Sequence, residues 1–465
     1  LSHAFHSSDP SAMRPSACPG LLRIVPALDG GICRVKLAGG VLSASQALAI
    51  ADAIDEHASG IVDITNRANL QLRGVKRGHE EALIAALLDA GLGPQDATHA
   101  HADDVRNVMV SPAAGRDAHA LSDTTALAAD LLTLLQSDPR CAALSPKFAL
   151  LLDGGERLMM LDHPHDIWFS AMQPSDHAEP LYALGLAGCP PVAAEHANAL
   201  AAVAASDVPA LTRALLHTFL DLAAPEHTRM RDVIAAHSVD NVLAHAEPQS
   251  GISLLRGEPV ERWRREPADA SRRLGARQQR DGQRWHIGAQ PALGRMNSTT
   301  LRGLAVLAQQ QNHEGAMLHM TPWQTVLLTD IDTSNVAATL QTLETLGLAT
   351  TPHNPLTRVI ACAGSTGCAK SLADTKADAL KLAARGVPAQ TQVHLSGCPR
   401  SCAAAHCAPY TLLATSQNRY DLYTTQDPRE STGFGRLLAR GVTIDEAADI
   451  LNASAAPPFD EPFDA

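Results

Sequence analysis

An internal repeat constrains this chain more than any other feature. At an offset of 256 residues, Thr65 falls on Thr321, Leu70 on Val326, Leu72 on Leu328 and Val75 on Ile331. Gly91 and Leu92 then fall on Gly347 and Leu348. A chain that repeats itself over such a distance is built as one unit used twice. In the first copy an apolar run, Ile32–Leu37, precedes a helical period from Ser45 to His57, with Leu48, Ala51 and Ile54 on one face. Two strand-like runs, Ile61–Thr65 and Leu70–Val75, lead to a second helix, His79–Ala90, stopped by Gly91. The second copy reads the same way. A strand near Trp285–Gln290, a helix Ser298–Gln311, strands Ala316–Thr321 and Thr325–Ile331, and a helix Ser334–Leu346 end at Gly347.

This order predicts an α+β protein with a pseudo-twofold pair of ferredoxin-like half-domains, residues 16–94 and 285–352. Each is followed by a larger α/β domain, 95–245 and 353–454. Residues 1–15 and 455–465 are expected to be flexible or disordered. The connector 246–284 carries Arg256, Arg262, Arg264, Arg265, Arg272, Arg273, Arg277, Arg280 and Arg284. It reads as a solvated linker, with a basic lid over an acidic ligand as the competing reading.

The formal net charge of −12 argues against a nucleic-acid partner, yet allows an anion in a locally basic pocket. No run approaches the roughly 18 apolar residues of a membrane span. The opening LSHAFHSSDPSAMRPSACPG lacks the basic-then-apolar order of a signal peptide, so a cytoplasmic protein is expected. Nine cysteines in 465 residues do not make a disulfide scaffold.

Four of those cysteines form two tight pairs. Five residues separate Cys362 from Cys368, 29 follow, and three separate Cys398 from Cys402. Each pair follows a predicted strand, Arg358–Ala361 and Gln392–Ser396, with a helix Ser371–Arg385 between them. Two strand-end loops of one sheet can therefore place four thiolates around one point. Gly364, Ser365 and Gly367 permit a tight loop. Pro399 suits the first position of a helix whose dipole would hold Cys402 as a thiolate. Four thiolates are the usual ligands of a [4Fe–4S] cluster. Structural zinc also takes four, but its usual spacing of about two to four residues fits the first pair poorly. Cys18, Cys33, Cys141, Cys189 and Cys407 are scattered and read as small packed side chains.

The first copy concentrates cations instead: Arg67, Arg73, Lys76 and Arg77 around the hairpin, then Arg106 and Lys147. At the repeat offset, Arg67 becomes Trp323, Gln71 becomes Leu327 and Arg73 becomes Thr329. Such asymmetry predicts an anion site at the junction, where guanidinium forks grip carboxylates. Ordinary surface solvation is the alternative.

The runs TNRANLQLRGV (65–75), VRNVMVSPAAG (105–115), SPKF (145–148), TPWQTVLL (321–328), CAGSTGC (362–368) and SGCPRSC (396–402) resemble the sirohaem-dependent nitrite and sulfite reductases. The resemblance spans about residues 15 to 450. It implies a [4Fe–4S] cluster on Cys362, Cys368, Cys398 and Cys402, the last also bridging to sirohaem iron in the reductases. Within that superfamily, RPSACPGLLRIVPALDGGICRVKLAGG is most similar to the precorrin-3B synthase branch of aerobic cobalamin synthesis. That branch implies oxygen-dependent hydroxylation of precorrin-3A and closure of a ring-A γ-lactone. It also implies a mononuclear non-haem iron and a donor protein fed by NAD(P)H, since no G-x-G-x-x-G is evident.

Departures from the reductase pattern favour that branch. Pro146 and Ala149 flank Lys147 where cations are common, and Arg400 replaces a usual Asn. The expected macrocycle cradle is Arg67, Gln71, Arg73, Arg106, Asn107 and Lys147, joined by Arg400, with Arg67, Arg106 and Lys147 orienting the substrate. Sirohaem would occupy it only if the chain is a reductase. For the mononuclear iron, a facial set of two histidines and a carboxylate has three candidate sources. They are His99, His101, Asp103 and Asp104; Asp162, His163, His165 and Asp166; and His406.

Overall fold

A computed structural model describes residues 18–94, 100–173, 179–311, 317–389, 391–404, 406–425 and 433–455. Four five-stranded sheets organise these residues, in two matched pairs. One small sheet holds Val25–Ala27, Gly30–Val35, Leu70–Val75 and Ile61–Ile64, all antiparallel. Its repeat holds Gly275–Gln278, Arg284–Ala289, Val326–Asp332 and Met317–Met320. The fifth strand of each comes from the other copy. Arg295–Asn297 pairs with Ile61–Ile64, and Val41–Ser43 pairs with Met317–Met320. The half-domains predicted as neighbours are thus interlocked, and their buried side chains form one continuous core from Leu21 to Leu348.

Backbone strain repeats with the sequence. Ala68 and Gln324, Gly74 and Asp330, and Gly91 and Gly347 all have positive φ at the same offset. Gly40, outside these matched pairs, makes a tighter turn. Its φ is +77°, and a Cβ there would lie 2.2 Å from the Met320 carbonyl oxygen, so only glycine lets the exchanged strand begin. The helix Ala44–His57 follows at once, with a capping box between Ser43 and Gln46. Its buried face of Ala47, Ile50, Ala51 and Ile54 packs against the matching helix Ser298–Gln311.

The two larger sheets share one topology. In the first, Val108–Met109, Leu150–Asp153 and His165–Ala171 run parallel, and Leu181–Gly188 and Ala201–Ala204 follow antiparallel. In the second, Val359–Ala361, Val393–Ser396 and Tyr410–Ser416 run parallel, then Arg419–Thr424 and Arg436–Val442 antiparallel. The connector is not a solvated linker. Arg265 is 3% exposed and chelates Asp153 through two bonds, and Arg273 donates to the Thr357 carbonyl. It straps both α/β domains together and supplies the edge strand Gly275–Gln278. No helix of the described residues is long and apolar enough to cross a membrane.

Candidate functional site: a thiol pocket beside a cationic cleft

The parallel strands Val359–Ala361 and Val393–Ser396 lie in register, Ala361 opposite Leu395. Their C-terminal loops therefore emerge side by side, the first carrying Cys362 and Cys368, the second Cys398 and Cys402. The Gly397 amide donates to the Cys362 sulfur at 3.3 Å, and the Thr375 hydroxyl lies 3.2 Å from it. Gly364 has φ +73°, and a Cβ on Gly397 would meet the Ser371 hydroxyl at 1.8 Å, so these turns need glycine. Burial and the neighbouring thiols of Cys398, Cys362 and Cys368 raise the Cys402 pKa, against Arg400. Two expectations are corrected here. No helix starts at Pro399, where the chain instead turns through Ser401 at φ +50°, so no helix dipole serves Cys402. The intervening helix begins at Thr375, capped by Asp374, because residues 368 to 374 complete the cysteine loop.

The four cysteines are close neighbours: Cys402 feels the thiols of Cys398, Cys362 and Cys368. Among the described residues no three His, Cys, Asp or Glu side chains are drawn together around one point. Four thiolates are the usual donor set of a [4Fe–4S] cluster.

The other half meets this pocket through Asn66 and Arg73 among others. Asn66, in the hairpin Thr65–Asn69, donates to the Cys402 carbonyl at 3.4 Å. Arg73 donates to the Gly367 carbonyl at 3.0 Å. On the domain-1 side of the hairpin lies a small, partly open cleft lined by Arg67, Arg106, Asn107, Ala149, His163 and His165, with Leu37, Val108 and Met109 as apolar wall. The cations around it are crowded. Burial pushes Lys36 down to about 7, helped by Arg67 and Arg34 and opposed by Asp103 and Asp104. Burial and Arg229 push Arg67 down to about 10, with Asp166 opposing. The Nε atoms of Arg34 and Arg106 are buried without a partner. Buried cations with lowered pKa beside a cleft are a common surround for an anion, here partly balanced by Asp103, Asp104 and Asp166.

The predicted cradle is therefore partly redrawn. Arg67 and Arg106 line the cleft; Asn107 also lines it, although its amide is held by the carbonyls of Asp104, Pro146 and Phe148. Arg73 does not: Asp29 and Gly367 engage its guanidinium on the thiol side. Gln71 accepts from Arg34 at 3.0 Å and supports it from behind. Lys147 is exposed and offers Arg67 its backbone oxygen, and Arg400 is exposed beside the cysteines. Arg34 and Lys36 were missed, although the alternation Cys33-Arg34-Val35-Lys36 put both cations on one strand face.

The mononuclear iron has no matching ligand set among the described residues. His99 and the side chain of His101 lie outside them. Asp103 accepts from Arg106 and the Leu21 amide, Asp104 from Arg23, and Asp166 from Arg229, so these carboxylates are engaged structurally. His163 and His406 do meet across the halves, their rings 5.0 Å apart. Burial, with His406, His165 and Arg67 nearby, holds His163 well below its ordinary pKa, and burial and Arg67 lower His165 to about 3. Both are neutral at pH 7.

Comparison with known proteins follows this geometry. The nitrite/sulfite reductase ferredoxin-like half-domain profile matches residues 26–90 and 277–346, one match per copy. The nitrite and sulphite reductase 4Fe-4S domain profile matches residues 101–254, the α/β copy without the cysteine pairs. Ferredoxin–nitrite reductase of Zea mays is 28% identical over 79% of this chain and 67% of that protein. The Synechococcus elongatus enzyme is 26% identical over 90% and 84%. A precorrin-3B synthase from Sinorhizobium sp. is 26% identical over 87% of this chain and 81% of that protein. Mycobacterium tuberculosis NirA shares the fold, with a TM-score of 0.74 at 22% identity over 94% of this chain and 82% of that one. With the duplicated fold, both half-domains and one α/β domain matched, this chain belongs to the nitrite and sulfite reductase superfamily.

Proposed function

We propose that the chain is an oxidoreductase that binds an acidic tetrapyrrole in the cationic cleft, beside a [4Fe–4S] cluster on Cys362, Cys368, Cys398 and Cys402. Its reaction is that of precorrin-3B synthase: precorrin-3A, O2, two electrons and two protons give precorrin-3B and water. One oxygen atom enters as the hydroxyl, the other leaves as water, and a ring-A acetate closes the γ-lactone. The observation that carries this reading is the pair Arg67 and Arg106 lining the cleft, with Arg34 and Lys36 buried behind them, and a wall that holds no further cation at Ala149. Several carboxylates on one macrocycle answer such a crowd, whereas reduction of a small anion calls for cations where Ala149 stands. The match to the Sinorhizobium synthase over most of both chains also supports it.

A bound cluster would supply single electrons. The protein's own residues do the rest: Arg67 and Arg106 orient carboxylates, which fixes the reacting edge. Leu37, Val108, Met109 and Ala149 keep water from it. Neutral His163 and His165 can hydrogen-bond the macrocycle at their ring nitrogens without adding charge. No step is assigned to a mononuclear iron, whose ligands the described residues do not assemble. Relatives named for ferredoxin favour a small electron-donor protein as partner. The test is aerobic incubation of the reduced, cluster-loaded protein with precorrin-3A, followed by mass analysis of the macrocycle. The reductase reading, favoured by the nitrite and sulfite reductase relatives, predicts instead a sirohaem absorption band and anaerobic reduction of nitrite or sulfite.

A further inference from the structure

We propose that Arg73 is a positioning residue for the iron–sulfur cluster. Anchored on Asp29, it fixes the Gly367–Cys368 peptide and holds a buried positive charge behind the thiol pocket that raises the cluster's reduction potential. The proposal rests on the assignment of the four cysteines as cluster ligands and goes beyond it to how that cluster is tuned.

Arg73 is 2% exposed. Its Nε and Nη2 donate to the two oxygens of Asp29 at 2.7 and 2.8 Å, and Nη2 also donates to the Gly367 oxygen at 3.0 Å. That carbonyl belongs to the peptide leading into Cys368, whose own amide closes the loop onto the Gly364 oxygen at 2.9 Å. The fit leaves no slack, since a Cβ on Gly367 would stand 2.4 Å from Nη2. Asp63 lies 3.9 Å from Nε, and Arg295 neutralises it through bonds of 2.7 and 2.9 Å. Arg73 is thus the buried member of its pair, while Asp29 is 31% exposed and screened by solvent. A cluster gains negative charge on reduction, and a fixed cation in a low-dielectric surround favours that state.

The repeat supplies an internal comparison. At the matching strand end Asp330 grips Arg116 through bonds of 3.1 and 2.9 Å, one residue beyond Gly115, the counterpart of Gly364. Gly74 and Asp330 share a positive φ, and the contact comes from Arg73, just before that turn, in one copy and from Asp330, at it, in the other. What differs on the cysteine side is the sign: the strand supplies the cation and the loop supplies only a carbonyl.

The experiment uses the full chain reconstituted anaerobically with iron and sulfide, as wild type, Arg73→Met, Arg73→Lys and Asp29→Asn. Iron and sulfide content, the reduced-state electron paramagnetic resonance spectrum and the midpoint potential are measured. Arg73→Met should lower the midpoint and alter the spectrum, Arg73→Lys should do both less, and Asp29→Asn should raise the midpoint. Full loading of Arg73→Met with wild-type midpoint and spectrum overturns the proposal. So do shifts of Arg73→Met and Asp29→Asn in the same direction, which would report loosened packing. If Arg73→Met takes up no cluster, unchanged midpoints in Arg73→Lys and Asp29→Asn overturn it. Wild-type protein that takes up no iron and sulfide overturns the cysteine assignment itself.

Discussion

Lys36 is buried behind the cleft, its ammonium donating to the Asp104 carbonyl, with Arg67 and Arg34 close by. Burial brings its pKa from 10.5 to about 7, so between those values the folded protein holds fewer protons than the unfolded chain. Stability of the ligand-free protein should therefore rise with pH through that window. A carboxylate ligand in the neighbouring cleft opposes that shift, because its negative charge favours the ammonium form. Binding of uroporphyrin, an octacarboxylate probe, should take up protons above pH of about 7, and affinity should fall as pH rises. Calorimetry in buffers of different ionisation heat measures this; proton uptake near zero would count against the cleft. Arg67→Ala removes a charge-assisted contact of about 1.5–3 kcal/mol, roughly a 10- to 150-fold loss of probe affinity. The position of Arg67 at a cleft was legible because the two copies differ so sharply in charge there, Arg67 facing Trp323 at the offset. Arg73 was misread for the same reason: offset comparison finds a cation but not the direction in which its strand presents it.

At the scale of elements, the exchanged strands hold the halves together. Leu42 is fully buried in the strand lent to the second sheet. Leu42→Ala should cost about 2–5 kcal/mol, read as a lower denaturation midpoint. Gly40→Ala should destabilise strongly, since backbone sits where its Cβ would go. The helices and long strands were legible from period and from their glycine stops. The exchange was not, because strands of three residues, Val41–Ser43 and Arg295–Asn297, are too short to show a period. The arginine-rich connector misled for a different reason. Composition made it a solvated linker, but Arg265 is buried by its bond to Asp153, a partner 112 residues away.

Across the whole molecule, one core serves both half-domains and a strap ties both α/β domains, so the copies should not unfold independently. Urea denaturation followed by tryptophan fluorescence and far-ultraviolet dichroism should give coincident transitions; two separated transitions would show that the halves are autonomous. The repeat makes two junctions of one design and then differentiates them. One receives thiols, a cationic hairpin and an open cleft. At the position of Arg67 the other carries Trp323, which lines a small cavity shared with Asn66, His163 and His406. This asymmetry supports a single acidic macrocycle treated as substrate. It is tested most directly by supplying the reduced, cluster-loaded protein with precorrin-3A under 18O2 and weighing the product. The account predicts a macrocycle carrying one 18O atom as a hydroxyl and a closed lactone; a macrocycle recovered unchanged, with cluster intact and electrons supplied, would contradict it.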